Sequence, residues 1–139
     1  MNKLFRLLRY DWPLHFVLLL TNWLPDNVVV LRLRGFLARP FIGKCGQNFR
    51  LGRNVTFYNS SKITIGRDVY IAYGCWFMAG DEIWIGDEIL FGPYCIVVSS
   101  KHQLKGDSFR FGDTVQDSIS IGSGTWVAAH ATISAGTDI

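Results

Sequence analysis

The sequence predicts an all-β fold, a left-handed parallel β-helix, for residues 51–139, and two observations carry this prediction. First, a six-residue pattern recurs nine times, each time opening with a large apolar residue. The hexads begin at Leu51, Ile65, Ile71, Phe77, Ile85, Phe91, Ile121, Val127 and Ile133. Second, the fourth residue of six hexads is Asn, Asp or Gly, which best tolerate the positive φ of a tight corner. Six-residue repeats of this kind are a recognised signature of parallel β-helices.

The columns of the repeat explain how such a chain folds. A strand of about four residues and a corner of about two carry the chain along one side of a triangular prism. The apolar first residue and the compact fifth residue then point inward, and successive coils pair as parallel strands. Cys75 and Cys95 occupy the fifth position, so we expect buried thiols in a reducing compartment rather than a disulfide framework. Left-handed winding departs from the usual crossover rule and is predicted from the period alone.

Residues 1–50 are predicted to form a helical appendage and capping segment. Residues 2–10 place basic residues three apart among leucines, which favours a short amphipathic helix. Asp11 is the expected N-cap of a second, apolar helix that ends before Pro25. Residues 28–50 predict a short helix or strand followed by an irregular first coil.

The charge distribution gives two compatible interpretations of these helices. Residues 1–50 hold eight basic and two acidic residues, a net charge of +6, whereas residues 51–139 hold six and nine, a net charge of −3. In the first interpretation the helices cover the open end of the repeat array. In the second, residues 1–24 also lie in a membrane interface, which favours Trp and Arg. We therefore predict a cytoplasmic protein, with peripheral contact at the inner membrane face as the sharper alternative.

Residues 101–118 lack the hexad pattern and are predicted to form one long external loop. The register resumes at Ile119, 36 residues after Ile83, so the loop leaves a corner of the prism and returns to it. Long ordered loops on rigid scaffolds are usually functional. His102 lies at the root of this loop.

At these positions the chain resembles the hexapeptide-repeat acetyltransferases of the maltose and galactoside O-acetyltransferase type, in the style of those that modify surface polysaccharides. The segment IGDEILFGPYC at residues 85–95 leads to His102 with matching spacing, and the family's later segment with a Trp appears as IGSGTWVA at residues 121–128. The resemblance covers residues 63–139. It implies acetyl-CoA as donor, a saccharide hydroxyl as acceptor, no metal, and a homotrimer with each active site between two subunits.

The resemblance also assigns candidate site residues. His102 is the candidate catalytic base, because an imidazole accepts a proton near neutral pH as a sugar hydroxyl attacks the thioester. The alternative is a solvated loop histidine. Trp126 corresponds to a Trp that lines the cofactor cleft, with an aromatic subunit contact as its alternative. Ala129 falls where the backbone contacts the thioester region.

The acceptor residues are the least constrained part of the prediction. The family's sugar-facing Asn and Asp correspond to Ala72 and Gly80, so recognition of glucose or galactosides is not carried over. We place substrate contacts at Tyr58, Asn59, Ala72 and Asp81. Asp81 falls in a column that normally faces inward, which indicates either a widened corner or a polar group turned toward a cleft.

The predicted function is acetyl transfer from acetyl-CoA to a saccharide in surface polysaccharide synthesis, and the basic N-terminus favours a lipid-linked acceptor. An inactive or scaffold β-helix is the alternative. The chain ends at Ile139 within a coil, whereas relatives continue with rungs that hold the CoA nucleotide, so we expect either a fragment or an incomplete cofactor site. A β-helical zinc carbonic anhydrase needs several converging His ligands, and the chain has three histidines, one of them in the appendage. No pattern typical of nucleic-acid binding is present.

Overall fold

Three four-stranded parallel sheets, A, B and C, form the sides of a prism in the computed structural model, which describes residues 1–139. Sheet A contains β1 (Lys44–Cys45), β4 (Ile63–Ile65), β7 (Ile83–Ile85) and β12 (Ile119–Ile121). Sheet B contains β2 (Arg50–Leu51), β5 (Tyr70–Ile71), β8 (Leu90–Phe91) and β13 (Trp126–Val127). Sheet C contains β3 (Thr56–Tyr58), β6 (Trp76–Met78), β9 (Ile96–Val98) and β14 (Thr132–Ser134). The chain visits the sheets in turn, which confirms the predicted left-handed β-helix; its strands begin at Lys44 rather than Leu51.

The inward columns hold the core that the repeat predicts. The first residue of every hexad is at most 6% exposed, and five of the nine fifth residues are also buried. Ile63, Ile83 and Ile119 stack in register through successive coils of sheet A. Cys75 and Cys95 are fully buried and unbridged, as expected. Burial raises the pKa of the Cys75 thiol to about 12.

The predicted positive φ at the fourth residue of the hexads is present at every corner except one. The fourth residue of eight hexads has a positive φ, and even Glu88 and Tyr94 adopt it, at 57° and 59°. Gly80 is the exception, because the corner that contains it is longer. Ile63 pairs with Ile83, so this coil takes twenty residues rather than three hexads. This supports the widened-corner interpretation of Asp81.

The predicted external loop leaves the same corner, between sheets C and A. Its base is a two-stranded antiparallel hairpin made of β10 (Ser100–His102) and β11 (Thr114–Gln116). After it, β12 pairs directly with β7. The whole segment is therefore an insertion that leaves the coil register undisturbed.

The N-terminal segment begins with one continuous helix. Its parts are α1 (Lys3–Arg6), a π-helical turn (Leu7–Asp11) and α2 (Trp12–Thr21). The predicted N-cap at Asp11 is wrong, since this residue has helical φ and ψ of −70° and −46° and makes no capping bond. Trp12 N–H instead bonds to the Leu7 carbonyl five residues back, and the widened turn accommodates Pro13 inside the helix. No helix in the structure combines the length and the apolar character needed to cross a bilayer.

A second helix, α3 (Val28–Ala38), joins the first helix to the coils, and a 3₁₀ turn (Arg39–Phe41) follows it. Arg34 of α3 is fully buried. Its guanidinium donates to the carbonyl of Leu51 at 2.7 Å and to that of Thr21 at 3.0 Å, and it pairs with Asp26 at 2.9 Å. One side chain therefore connects both helices to the first coil.

Candidate active site

The predicted site residues lie at two corners of the prism, on opposite edges of sheet C. Corner BC joins sheet B to sheet C, and its residues are 52–55, 72–75, 92–95 and 128–131. Corner CA joins sheet C to sheet A, and its residues are 59–62, 79–82 and 99–118. A strand of sheet C with its flanks covers about five residues, which corresponds to ~17 Å between the two corners. Trp126, Ala129 and Ala72 lie at or beside corner BC, and the other predicted residues lie at corner CA.

At corner CA, hydrogen bonds tie together the coils that carry the predicted residues. Asn59 donates its side-chain amide to the Ala79 carbonyl at 2.9 Å. The Ser99 hydroxyl accepts from the Asp81 N–H at 3.0 Å and donates to the Asp81 carbonyl at 2.7 Å. Tyr58 precedes this corner and is 46% exposed. The corner therefore holds Asn59 and Asp81 in fixed positions, one coil apart, below the hairpin.

His102 lies on the first strand of the hairpin with an exposed ring. Its Nδ1 is 3.4 Å from the hydroxyl of Thr114, the residue opposite it on β11. When Nδ1 donates to this hydroxyl, Nε2 carries the lone pair and faces away from the pairing strand. No three His, Cys, Asp or Glu side chains come close enough in this chain to hold a metal ion.

At corner BC, the three predicted residues differ in their exposure. Trp126 stands on the outer face of sheet B, opposite Leu90, and is 73% exposed. Ala129 is exposed at the corner itself. Ala72 is only 7% exposed, because it is packed within the stack of corners, against Gly52 of the coil below. Of the predicted substrate residues, it therefore offers the least surface to a ligand.

The backbone at corner BC includes an N–H donor without a partner in the chain. At the third position of a hexad, the N–H of Arg53 donates to the Asp26 carboxylate at 3.0 and 3.1 Å, and that of Arg67 donates to Asp87 at 2.9 Å. Ala129 occupies the same position of its hexad, and its N–H makes no backbone hydrogen bond within the chain. An N–H in this position is suited to stabilise an oxyanion that develops on a ligand.

Two adjoining cavities beneath the continuous helix were not predicted from the sequence. The larger has a volume of about 350 Å³ and lies between the continuous helix and the first coil. Its lining residues are Leu7, Asp11, Trp12, His15, Thr56, Phe57, Tyr58 and Asn59. A neighbouring cavity of about 290 Å³ shares Asp11 and His15 with it.

Asp11 gives these cavities a polar group that is available to a ligand. Its Oδ1 is buried and has no hydrogen-bond partner, which is rare for a buried carboxylate oxygen. Asp11 and His15 are four residues apart, so they lie on the same helix face. That spacing is the signal in the sequence that could have pointed to them.

Comparison with known proteins gives consistent results. The chain is 26% identical over 106 residues to galactoside O-acetyltransferase of Escherichia coli (strain K12), across 76% of this chain and 52% of that protein. It therefore spans about half the length of this relative. No family model matches the chain.

Solved structures show the same architecture. A galactoside acetyltransferase in complex with coenzyme A superposes with a TM-score of 0.76 at 23% identity, over 90% of this chain and 62% of that one. A hexapeptide-repeat acetyltransferase of Vibrio cholerae in complex with acetyl-CoA has a TM-score of 0.76 at 22% identity, over 91% and 67%. A maltose O-acetyltransferase of Clostridium difficile has a TM-score of 0.74 at 18% identity, over 99% and 71%. The chain thus has the fold of the hexapeptide-repeat acetyltransferases, and its resemblance to their galactoside and maltose O-acetyltransferase type is confirmed.

Proposed function

We propose that the chain transfers an acetyl group from acetyl-CoA to a saccharide hydroxyl, in the synthesis of a surface polysaccharide. The observation that carries this proposal is the exposed imidazole of His102, at the root of the hairpin that interrupts the coils. The fold that presents this imidazole is shared with structures solved in complex with coenzyme A and acetyl-CoA.

In the proposed reaction, His102 Nε2 accepts the proton of the acceptor hydroxyl while the hydroxyl oxygen attacks the thioester carbonyl. General base catalysis of this kind contributes ~10²–10⁴-fold to the rate. The tetrahedral oxyanion accepts a hydrogen bond from the Ala129 N–H, and one such donor contributes ~10²–10³-fold. The C–S bond then breaks, and the CoA thiolate leaves with the proton of the imidazolium. Trp126, exposed beside this corner, is positioned to pack against the thiol arm of the donor.

The separation of the two corners supports a site shared between subunits. The base and the oxyanion donor must each lie ~3 Å from the reacting atoms. Within one chain, corners BC and CA lie ~17 Å apart by the length of the intervening strand. We therefore propose a homotrimer in which corner CA of one copy faces corner BC of the next.

The cavity beneath the helix is the proposed acceptor site. Asp11, His15 and Asn59 supply polar atoms and Tyr58 an aromatic ring, a combination suited to sugar hydroxyls and sugar ring faces. Tyr58 lies two coils below the strand that leads to His102, a rise of ~10 Å, which an acceptor of about two sugar rings spans. Asp81 lies along this path.

The test is acceptor-dependent release of CoA. The chain is incubated with acetyl-CoA and a panel of oligosaccharides, and the free thiol of CoA is followed. We expect His102→Ala to lower kcat by ~10²–10⁴-fold with an unchanged Tm, because the ring is exposed. Arg110→Ala, elsewhere in the same loop, serves as the control with an unchanged rate. Equal rates for His102→Ala and the original chain would remove His102 from the mechanism, and no release with any acceptor would favour the scaffold alternative.

Mixing two inactive variants tests the shared site separately. His102→Ala and Trp126→Ala are each expected to lose activity, and trimers assembled from equal amounts of both restore about a quarter of the sites. If each site lay within one chain, the mixture would stay inactive. Sedimentation of the same samples reports the number of subunits.

A further inference from the structure

We propose that the outer faces of the continuous helix and of α3 together form a docking surface for an anionic lipid bilayer. This lipid face is made of exposed apolar side chains. Its residues are Leu4, Phe5, Leu8, Trp12, Phe16, Leu19, Leu20, Trp23, Val29, Leu33 and Phe36. Lipid binding requires neither acetyl-CoA nor an acceptor, so it goes beyond the proposed reaction.

The continuous helix supplies the longer part of the lipid face. Its apolar residues from Leu4 to Trp23 on this face are 52–77% exposed and recur at three- and four-residue spacing. They form a stripe ~28 Å long on one side of the helix. Leu14, Leu18 and Thr21 on the opposite side are buried against the rest of the protein. Capping of the coils therefore explains the inner side of the helix and leaves the outer stripe without a partner.

The helix α3 extends this surface beyond the residues that the sequence indicated. Val29 is 74% and Phe36 is 66% exposed, on the outer side of α3. Where the two helices meet, an apolar cavity of about 470 Å³ opens between Val17 and the pair Phe36 and Leu37. Such a cavity provides room for part of an acyl chain.

The charges around the lipid face favour an anionic lipid bilayer as its partner. Residues 1–50 have a net charge of +6, and both of their acidic residues are paired, Asp11 with Arg6 and Asp26 with Arg34. Lys3, Arg9 and Arg32 remain exposed. An apolar stripe with a cationic margin, whose two carboxylates each lie beside an arginine, suits an anionic lipid surface. A second copy of the same face would bring like charges together, which disfavours a dimer through this surface.

The position of Trp12 connects the lipid face to the acceptor cavity. Trp12 is 58% exposed on the lipid face and also lines the cavity with Asp11 and Tyr58. The cavity thus opens at the level of the proposed membrane surface. If the proposed function holds, this arrangement fits an acceptor whose saccharide enters the cavity while its lipid stays in the bilayer.

Flotation with lipid vesicles tests the lipid face. The full chain is mixed with vesicles of phosphatidylcholine alone or with an equal amount of phosphatidylglycerol, without acetyl-CoA or acceptor. We expect flotation with the anionic vesicles and weaker flotation at high salt. The double variant Phe16→Asp, Leu20→Asp is expected to weaken binding at least ~100-fold, because it removes buried apolar area and adds negative charge.

A matched variant and three further measurements separate the outcomes. Phe109→Asp with Phe111→Asp removes two comparably exposed aromatic residues from the hairpin and should float like the original chain. Circular dichroism should show an unchanged Tm for both double variants, and CoA release with a soluble acceptor should be unchanged for the helix variant. Absence of flotation, or an equal loss for both variants, would overturn the proposal. A smaller assembly of the helix variant in sedimentation would assign the surface to a second copy instead.

Discussion

The coils, whose strands begin at Lys44, and the helical segment before them bury their side chains by opposite rules. In the coils, the first residue of every hexad is apolar and buried, and five of the nine fifth residues are buried as well. In the helical segment, eleven large apolar side chains of the lipid face stay exposed while the guanidinium of Arg34 is fully buried. Sequence periodicity therefore predicts which side chains are buried only where each repeat packs against another copy of the same repeat.

Backbone hydrogen bonds show why the helical segment needs buried polar groups. Within the coils, the backbone N–H and carbonyl groups of each coil bond to those of the next coil, as when Gly52 N–H donates to the Ile71 carbonyl at 2.8 Å. The first coil has no coil beneath it, and side chains of the helical segment bond to its backbone instead. Arg34 donates to the Leu51 carbonyl, and Asn22 accepts from the Asn54 N–H at 3.1 Å. The helices thus act as a substitute rung built from side chains.

The largest effect is expected at this substitute rung. Arg34→Ala leaves the Asp26 carboxylate and the Leu51 and Thr21 carbonyls without their shared partner, which should lower the free energy of unfolding by ~3–5 kcal/mol. Arg32→Ala, on the exposed side of the same helix, should change it by less than ~0.5 kcal/mol. Urea unfolding followed by circular dichroism measures both. Equal effects of the two variants would mean that the buried guanidinium does not hold the two regions together.

A smaller effect is expected from the buried thiols at high pH. Burial raises the pKa of Cys75, in the middle of the coils, and of Cys45, in the first coil, from 9.0 to about 12. The thiolate is disfavoured in the folded state, so each buried thiol makes its full contribution to the free energy of unfolding below pH ~9. This contribution falls as the pH rises toward the folded-state pKa, by at most ~1.4 kcal/mol per pH unit for each thiol.

Single substitutions separate the contributions of the two thiols. Cys75→Ala and Cys45→Ala should each flatten the decline between pH 9.0 and about 12 to a similar extent, because burial raises both pKa values to about 12. Unfolding at a series of pH values gives the slopes. A slope that neither substitution changes would contradict this account.

The two regions also differ in how far the sequence predicted them. The hexads gave the inward residues, the positive-φ corners and the place where the hairpin leaves, because each depends on a local pattern repeated in every coil. The prediction of Asp11 as an N-cap was wrong, because the helix is continuous through this residue. A π-helical turn accommodates Pro13, so no cap is needed there. Arg34 and the cavity beneath the helix could not be predicted, because the first depends on how α3 packs on the first coil and the second on how the continuous helix packs on it. The spacing of Asp11 and His15 was the only local sign of that cavity.

A substitution to glycine at a corner residue with positive φ is expected to stabilise the coils modestly. Glu88 adopts a φ of 57°, a conformation that costs a residue with a Cβ ~1–2 kcal/mol and glycine almost nothing. Glu88→Gly should therefore raise the free energy of unfolding by ~0.5–1 kcal/mol after the added flexibility of the unfolded chain is counted. Glu82→Gly, at an exposed residue without positive φ, should lower it instead. A decrease for both variants would show that strain at the corner is negligible.

The smallest effect is expected at the arginine with the most ion pairs. Arg67 lies within 3.1–3.4 Å of three carboxylates on the surface of the coils, those of Asp68, Asp87 and Glu88, but its side chain is 58% exposed. Water and salt screen exposed pairs, so Arg67→Ala should cost about 0.5 kcal/mol or less, and this cost should shrink further at high salt. Arg34 makes one ion pair to a carboxylate, yet its loss should cost several times more, because no water can replace it at the buried carbonyls. Urea unfolding of both variants at low and high salt compares them directly. A cost for Arg67→Ala as large as that for Arg34→Ala would mean that the number of ion pairs, rather than burial, decides how each region is held.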